Sequence, residues 1–407
     1  MLHPEHAASP QRRSIKQTAA QDDAPSSRIL NLPNAALHDA WNSLVFDDAL
    51  PARLLRCLVR MVTLMSEPDL NLSTFNWNRL CLLHGPPGSG KSTLCRALAQ
   101  KLSIRLGDAF TNSVFVEINT NSMLSKYFGE SGKLIGATFE RIFEMAQCKT
   151  SLVCIVMDEV ETIAGSRTKS TSGGECSDGL RATNQLLTAL DRLRDLPNVI
   201  VLCTSNLIEA IDPAFLDRVD IKQLIPSPSA AAIYNIFRSC LNELVRSHLV
   251  DPAAAQVSAR DFELKRSVTV AATPPSKPTP RTTRSAKSKA KAPVTPPTKA
   301  PAAPPSSSTE PWTVVLTPLI PTFAEMMTYY IAKRTAPGAR VWDLARKCEG
   351  FSGRTLRRLP ILGLAMYTWG GNCSLDDAVS ALEAAVEQEL LAKVSEGSKG
   401  DADMGRA

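Results

Sequence analysis

The sequence predicts an α/β fold in which a parallel sheet is covered by helices on both faces. Short apolar runs alternate with amphipathic helical patterns that begin near Ser92, Ser131 and Asp178. The predicted strands are LCLLH, VFVEIN, LVCIVMDEV, NVIVLCTSN and DIKQLI. Strands that are apolar along their whole length are typical of sheets buried on both faces, and intervening helices connect parallel strands. With 407 residues, 44% of them hydrophobic, the chain can form one large core or two medium ones.

The composition argues against several classes of protein. The longest apolar runs are far too short to cross a bilayer, and the first residues lack the apolar stretch of a secretory signal. Ten cysteines are scattered without a C-x-x-C pair, which favours reduced thiols in an intracellular protein over a disulfide framework. The formal net charge is +6, but no acidic residue lies between Glu263 and Glu310. Much of the excess positive charge therefore belongs to one segment.

A glycine-rich stretch, GPPGSGKST, lies between the first predicted strand and the following helix. It contains the pattern G-x-x-x-x-G-K-[ST], whose backbone N–H groups and helix N-terminus surround phosphates. Lys91 is predicted to contact the β- and γ-phosphates of ATP, and the Ser92 hydroxyl to ligate Mg²⁺. A chance turn is the alternative, and the strand–loop–helix context argues against it. The predicted nucleotide-binding residues are Gly85, Pro86, Pro87, Gly88, Ser89, Gly90, Lys91, Ser92 and Thr93.

Polar residues follow the later predicted strands. Asp158 and Glu159 end an apolar run, at the sheet edge where parallel sheets bind ligands. Asp158 is predicted to hold Mg²⁺ and Glu159 to activate the attacking water, with a solvated acidic pair as the alternative. Asn206 is predicted to orient water or the γ-phosphate, unless it is an ordinary turn residue. Arg218 is either a solvated surface arginine or an arginine finger that reaches a neighbouring subunit's phosphate.

Together these motifs resemble the nucleotide site of AAA+ ATPases. More specific segments resemble the pachytene checkpoint ATPase family, also called thyroid-receptor-interacting protein thirteen; they include WNSLVFD, SKYFGESGKL, DRVDIKQ and GFSGRTLRRLP. The resemblance implies a P-loop domain with five parallel strands in the order 5-1-4-3-2, followed by a helical lid. It also implies a homo-hexameric ring that hydrolyses ATP to remodel HORMA-domain proteins, with or without an adaptor. The implied setting is meiotic recombination, chromosome-axis control and the spindle checkpoint, in the nucleus with a further cytoplasmic pool.

The resemblance assigns roles to further residues. Arg218 would be the arginine finger, and Arg354 would reach the γ-phosphate from the lid, unless it merely solvates a helix end. Leu44 and Val45 would cap the adenine, although the same apolar residues are expected if this segment only packs against the sheet. The substrate-gripping pore loop would comprise Lys126, Tyr127, Phe128 and Gly129. Adjacent aromatic residues in a polar loop could line the channel of a ring, or one of them could dock into the domain core.

Shifts in composition divide the chain into six predicted segments. These are a disordered N-terminal tail (1–34), the AAA+ α/β domain (35–228), the first part of the lid (229–262), a disordered insertion (263–318), the second part of the lid (319–395) and a disordered C-terminal tail (396–407). The insertion is rich in Pro, Lys and Ser and cannot form a core. We interpret it first as a spacer, second as a nuclear-import signal and third as a weak nucleic-acid contact, since it lacks aromatic residues for base stacking.

Two rival functions remain at this point. One is an AAA+ motor with another target, such as microtubules or nucleic acid. The other is a scaffold that binds ATP without hydrolysing it, which the pair Asp158 and Glu159 argues against. The family also carries a folded N-terminal domain of about 100 residues, an ordinary domain size. Because residues 1–34 are predicted to be disordered, the mode of substrate docking stays open.

Overall fold

The computed structural model describes residues 27–65, 77–125, 131–165, 175–251, 320–330, 335–369 and 373–404. The chain divides into two compact units, each with its own hydrophobic core. The first unit comprises the described residues up to Leu44 and those from Ala49 to Pro226. The second comprises Val45–Asp48 and the described residues from Ser227 onward.

The first unit is an α/β domain. Its strands are β1 (Ser27–Leu32), β2 (Leu80–His84), β3 (Asn112–Asn119), β4 (Ser151–Asp158), β5 (Val199–Ser205) and β6 (Ile221–Leu224). Its helices are α1 (Leu50–Met65), α2 (Lys91–Arg105), α3 (Thr120–Ser125), α4 (Ser131–Ala146), α5 (Glu175–Leu193) and α6 (Pro213–Asp217). Short 3₁₀ turns lie at Ala35–Ala40, Val160–Thr162 and Ile208–Ala210.

Side chains on both faces of the central strand β4 are buried, which explains its continuous apolar sequence. Val153, Ile155 and Met157 join a core that also includes residues of α4 and α5. The alternate residues Cys154 and Val156 are equally buried on the opposite face, where α2 contacts the strand. Helices therefore cover both faces of the sheet, and the predicted fold class is confirmed.

The sheet contains one strand more than the sequence predicts. Strands β2 to β6 run parallel in the order β3-β4-β5-β2-β6, which is the predicted order counted from the opposite edge. Strand β1 pairs antiparallel with β3, with Ser27 opposite Ile118 and Leu32 opposite Ser113. The prediction of a disordered tail over residues 1–34 is thus wrong for residues 27–34. Most β1 side chains are not buried, so the strand depends on backbone pairing and carries little apolar alternation.

The turn after β1 is also held in place. The backbone N–H of Asn34 donates to Gln100 Oε1 at 2.9 Å, and Gln100 Nε2 donates back to the Asn34 carbonyl at 3.1 Å. Gln100 is buried on α2, so this reciprocal pair satisfies its amide inside the protein. The contact joins residues 66 positions apart, which no local pattern in the sequence reports.

Arg79 anchors the start of β2, the strand that leads into the phosphate loop. Its side chain is fully buried, with Nε donating to the Val199 carbonyl at 2.9 Å and Nη2 to the Leu193 carbonyl at 2.9 Å. Burial lowers the pKa of the Arg79 guanidinium to about 10, and the carboxylates of Asp220 and Asp195 oppose that shift. The cation therefore ties β2 to the end of α5 and the beginning of β5.

The second unit is helical. Its helices are α7 (Ala230–Arg246), a one-turn α8 (Phe323–Glu325) that continues as a π-helical turn at Met326–Tyr330, α9 (Pro337–Lys347), α10 (Gly353–Tyr367) and α11 (Leu375–Met404). Two short parallel strands, β7 (Val250–Asp251) and β8 (Cys373–Ser374), complete the unit. Arg238 and Asn242 on α7 bind the backbone of Ile320, each at 2.9 Å. Segments that flank the predicted insertion therefore share one core, while residues 252–319 lie outside the described part.

The last helix begins with a side-chain cap and ends later than predicted. The Ser374 hydroxyl accepts from the Asp377 N–H at 3.1 Å and donates to Asp377 Oδ2 at 2.7 Å, so the two residues cap the start of α11. Helix α11 then continues to Met404, so a tail over 396–407 is wrong for residues 396–404. Once a helix exists, each added residue gains a backbone hydrogen bond at little nucleation cost. Because residues 396–404 are mostly polar and small, the sequence shows no apolar helical pattern there.

Candidate nucleotide site

The loop after β2 has the backbone conformation that a phosphate loop needs. Gly85, Gly88 and Gly90 have φ values of 144°, 72° and 96°. Glycine adopts such values without the steric cost that a side chain would impose. Helix α2 begins at Lys91, directly after the loop, so its unpaired N–H groups and positive dipole end face the loop. The backbone therefore offers donors to an anion.

Lys91 points back into this loop. Its Nζ donates to the carbonyls of Gly85 and Pro86 at 2.8 and 2.7 Å, and the residue is buried. Burial lowers the pKa of the ammonium, and the nearby carboxylates of Glu161, Asp158 and Glu159 oppose that shift. The lysine thus places a positive charge inside the loop, where it can meet phosphate oxygens.

The residues present fit a triphosphate. The Ser89 hydroxyl oxygen is buried and has no hydrogen-bond partner among the described residues, so a ligand oxygen could satisfy it. Leu44 lies against the loop, with its δ-methyl 3.4 Å from the position of a Cβ at Gly90. Of the two residues predicted to cap adenine, only Leu44 belongs to this unit; Val45 packs against the core of the second unit.

Asp158 and Ser92 meet at the end of the loop. The Ser92 hydroxyl donates to Asp158 Oδ1 at 2.7 Å, and the Thr204 hydroxyl donates to the same oxygen. A hydroxyl beside one carboxylate suits Mg²⁺, which takes few protein ligands and completes its shell with water and substrate phosphates. Among the described residues no group of three or more acidic, His or Cys side chains is arranged to hold a metal ion. Ser92 and Asp158 are therefore the residues that would hold the ion.

Glu159 occupies an unusual backbone position beside this pair. Its φ is +54° and its ψ is 52°, a left-handed conformation that is costly for a residue with a side chain. The Asn121 side-chain amide donates to Glu159 Oε2 at 3.0 Å, and the Glu159 N–H donates to the Thr204 hydroxyl at 3.1 Å. Asn121 thus orients the carboxylate, and Thr204 fixes the backbone of Glu159. Sequence reasoning missed both, although Thr204 lies near the end of one predicted strand and Asn121 lies two positions after another.

Asn206 directly follows β5 and is tied to the acidic turn. Its backbone N–H donates to Glu161 Oε1 at 2.9 Å. The other oxygen of Glu161 is buried and without a partner among the described residues. Glu161 therefore connects the end of β4 to the end of β5, a link that sequence reasoning also missed. The only local signal is the last acidic residue of DEVE.

The remaining predicted site residues belong to other elements or lie outside the described residues. Arg218 follows α6 and forms an ion pair with Asp191 on α5. Arg354 lies in the first turn of α10 in the second unit, where the Ser352 hydroxyl caps the helix. The predicted pore loop, Lys126–Gly129, lies outside the described residues. Its role and that of Arg354 stay predictions.

Substitution of Gly85 by alanine should damage the loop. A Cβ at this position would lie 2.2 Å from the carbonyl oxygen of Ile225, and the φ of 144° disfavours any side chain. We expect Gly85→Ala to lower nucleotide affinity about 10- to 100-fold, because overpacking of this kind costs about 1–3 kcal/mol. Titration with a fluorescent ATP analogue would measure the change.

The matched control is Gly179→Ala. A Cβ there meets nothing within 4 Å, and alanine favours the surrounding helix α5. This variant should bind nucleotide like the parent chain. Equal affinity of both variants would show that the loop tolerates a side chain at Gly85 and that the close approach to Ile225 is not required.

The fold and the site define an AAA+ P-loop ATPase. A family model described as "ATPase family associated with various cellular activities (AAA)" matches residues 81–227. A second, "TRIP13-like, AAA+ ATPase lid C-terminal domain", matches residues 322–390. Membership of the AAA ATPases implies nucleotide binding, generally with Mg²⁺, and ATP hydrolysis as the general activity.

The chain belongs to the pachytene checkpoint protein 2 family. It is 43% identical over 375 residues to the pachytene checkpoint protein 2 homolog of Danio rerio, which covers 92% of this chain and 74% of the relative. The Homo sapiens homolog is 34% identical over 382 residues, covering 91% and 74% of the two chains. The structure of C. elegans PCH-2 superposes with a TM-score of 0.63 at 28% identity, covering 91% of this chain and 77% of that one.

Proposed function

We propose that this chain hydrolyses ATP as a homo-hexameric ring and uses the energy to remodel HORMA-domain proteins. The observation that carries the hydrolytic part is the cluster at the end of β4. There Ser92 and Asp158 are hydrogen-bonded at 2.7 Å, and Glu159 is held beside them by Asn121. A non-hydrolysing scaffold would need the loop to hold ATP but would not need a carboxylate oriented in this way.

The residues divide the work of hydrolysis. Lys91 neutralises the β- and γ-phosphates, and Glu159 accepts a proton from water as the water oxygen bonds to the γ-phosphorus and the bridging oxygen leaves. Asn206, placed by Glu161, orients the water or the γ-phosphate. Mg²⁺ bound by Ser92 and Asp158 would supply positive charge to the phosphate oxygens.

The position of Arg218 supports the proposal of a ring. Its side-chain hydrogen bonds within the described residues are to Asp191 and to the Ala214 carbonyl, not to the phosphate loop. An arginine outside its own site can stabilise transition-state charge in a neighbouring protomer. We therefore propose that Arg218 acts in trans, with Arg354 contributing from the lid.

The substrate part of the proposal is supported by family membership. HORMA-domain proteins would be engaged by the pore loop Lys126–Gly129, with an adaptor where one is needed. We place this activity in meiotic recombination, chromosome-axis control and the spindle checkpoint, in the nucleus with a further cytoplasmic pool. Among the described residues no helix is both long and apolar enough to cross a bilayer.

The test combines assembly and turnover. The purified chain is mixed with ATP and Mg²⁺, its mass is measured by sedimentation, and phosphate release is followed alone and with a HORMA-domain protein, tubulin tails or single-stranded DNA. A hexamer whose turnover rises only with the HORMA-domain protein supports the proposal. Stimulation by tubulin or DNA would favour a motor with another target, and a ring without turnover would favour a scaffold.

A further inference from the structure

Arg218 is held by a two-point ion pair within its own chain. Its Nε and Nη2 donate to the two oxygens of Asp191 at 2.8 and 2.9 Å, and Nη1 donates to the Ala214 carbonyl at 2.7 Å. The side chain of Arg218 is 26% exposed and that of Asp191 44% exposed. A bidentate contact fixes the plane of the guanidinium as well as its distance.

The backbone of Arg218 is fixed separately. The Asn78 side-chain amide donates to the Arg218 carbonyl at 2.9 Å, and Asn78 directly precedes the buried anchor Arg79. Helix α5, helix α6 and the start of β2 thus hold one arginine from three directions. A long flexible side chain held in this way loses little further rotational freedom when it meets a ligand.

Within the described part of the chain, the Arg218 guanidinium nevertheless keeps two N–H donors for another group. A guanidinium has five N–H bonds, and the three contacts with Asp191 and Ala214 use three of them. The side chain borders an open cleft of about 320 Å³ lined by Asn78, Asp191, Arg194, Asp217 and Arg218. A phosphate oxygen from outside the chain could reach the remaining donors without breaking the pair.

We propose that Asp191 is a positioning residue for Arg218, which fixes the guanidinium in the orientation that a neighbouring protomer's phosphates require. This inference rests on the proposed function, since it takes Arg218 to act in trans. The hydrogen bonds from Arg218 also lower the pKa of the Asp191 carboxyl, so the pair is ionised at neutral pH. If Asp191 instead held Arg218 away from the neighbouring protomer, removal of the Asp191 carboxylate would raise the rate of ATP hydrolysis.

The test starts with Asp191→Ala. Because misplacement of a catalytic group by about 1 Å can cost roughly 100-fold in rate, we expect kcat for ATP to fall about 10- to 100-fold. The KM for ATP and the affinity for a fluorescent analogue should stay unchanged, since the variant's own phosphate loop is intact. Asp191→Glu should recover part of the rate, because it restores a carboxylate that can bind both guanidinium edges.

Asp217→Ala is the matched control. It removes an exposed carboxylate from the same cleft, but Asp217 accepts no hydrogen bond from the Arg218 side chain. Its turnover should stay within about twofold of the parent chain, as expected for a screened surface charge. An equal loss in both variants would overturn the inference, because the effect would then come from charge alone.

Rings that contain two kinds of protomer distinguish a mispositioned Arg218 from a folding defect in the Asp191→Ala chain. Glu159→Gln protomers lack the water-activating carboxylate but keep an intact Arg218. Mixed with Asp191→Ala protomers, they should raise turnover above that of either variant alone, because their arginines complete the neighbours' sites. An Asp191→Ala chain with unchanged or increased turnover, or one that no mixture rescues, would overturn the inference. If Arg218→Ala itself keeps full turnover, the proposed finger fails instead, independently of Asp191.

Discussion

Replacement of Glu159 by glutamine is expected to lower kcat for ATP hydrolysis about 100- to 10,000-fold, the usual contribution of general acid–base catalysis. Glutamine preserves the shape of the side chain and can still accept the hydrogen bond that Asn121 donates at 3.0 Å. It cannot accept a proton from water at neutral pH. The variant should therefore lose ATP hydrolysis but keep an intact nucleotide site.

The affinity for nucleotide distinguishes a loss of catalysis in Glu159→Gln from damage to the binding site. The Glu159→Gln chain should bind the fluorescent ATP analogue as tightly as the parent chain and should hold ATP in the ring. Glu144→Gln, an exposed change on α4, is the control and should leave kcat unchanged. Phosphate-release assays with both variants decide the matter: full turnover by Glu159→Gln would remove this residue from its proposed role and reopen the choice of base.

Replacement of Lys91 by alanine is expected to abolish nucleotide binding at ordinary concentrations. Lys91 is buried and its ammonium lies 2.8 and 2.7 Å from two loop carbonyls, so its loss leaves those acceptors and the bound phosphates uncompensated. Truncating one partner of a buried charged contact costs about 2–5 kcal/mol, which is roughly 30- to several-thousand-fold in Kd. Titration with the fluorescent ATP analogue measures this change in Kd directly.

Lys222→Ala serves as the matched lysine control. Lys222 is exposed on the edge strand β6 and belongs to no predicted site, so its loss should leave affinity within about twofold. Both substitutions remove one positive charge, so a difference between them shows that the contact made by Lys91, and not the net charge of the domain, determines nucleotide affinity. A Lys91→Ala chain that binds ATP with the parent affinity would contradict the assignment of the phosphate loop.

The residues that mark the nucleotide site could be predicted because they are contiguous. The phosphate loop needs glycines, a lysine and a hydroxyl at set positions between a strand and a helix, and all of these lie within residues 85–93. The buried strands could be predicted for a similar reason, since a strand covered on both faces must be apolar along its length. The class of protein follows from these local signals together with the family resemblance.

Other parts of the site depend on pairs that lie far apart in the chain. Thr204 meets Asp158 across 46 positions, Asn121 meets Glu159 across 38, and Arg218 meets Asp191 across 27. In each pair one member looks like an ordinary polar residue at a strand end or on a helix surface. Its role becomes visible only when the sheet places the two together.

The same division applies to the fold as a whole. The sequence by itself determined the α/β class, the parallel strands and the phosphate loop, because each depends on the spacing of neighbouring residues. Only the tertiary structure decided that residues 27–32 join the sheet as β1, that α11 runs to Met404 and that Asp191 holds Arg218. The edge strand and the ion pair depend on partners distant in the chain, and the helix end on cooperative extension, so local sequence does not report them.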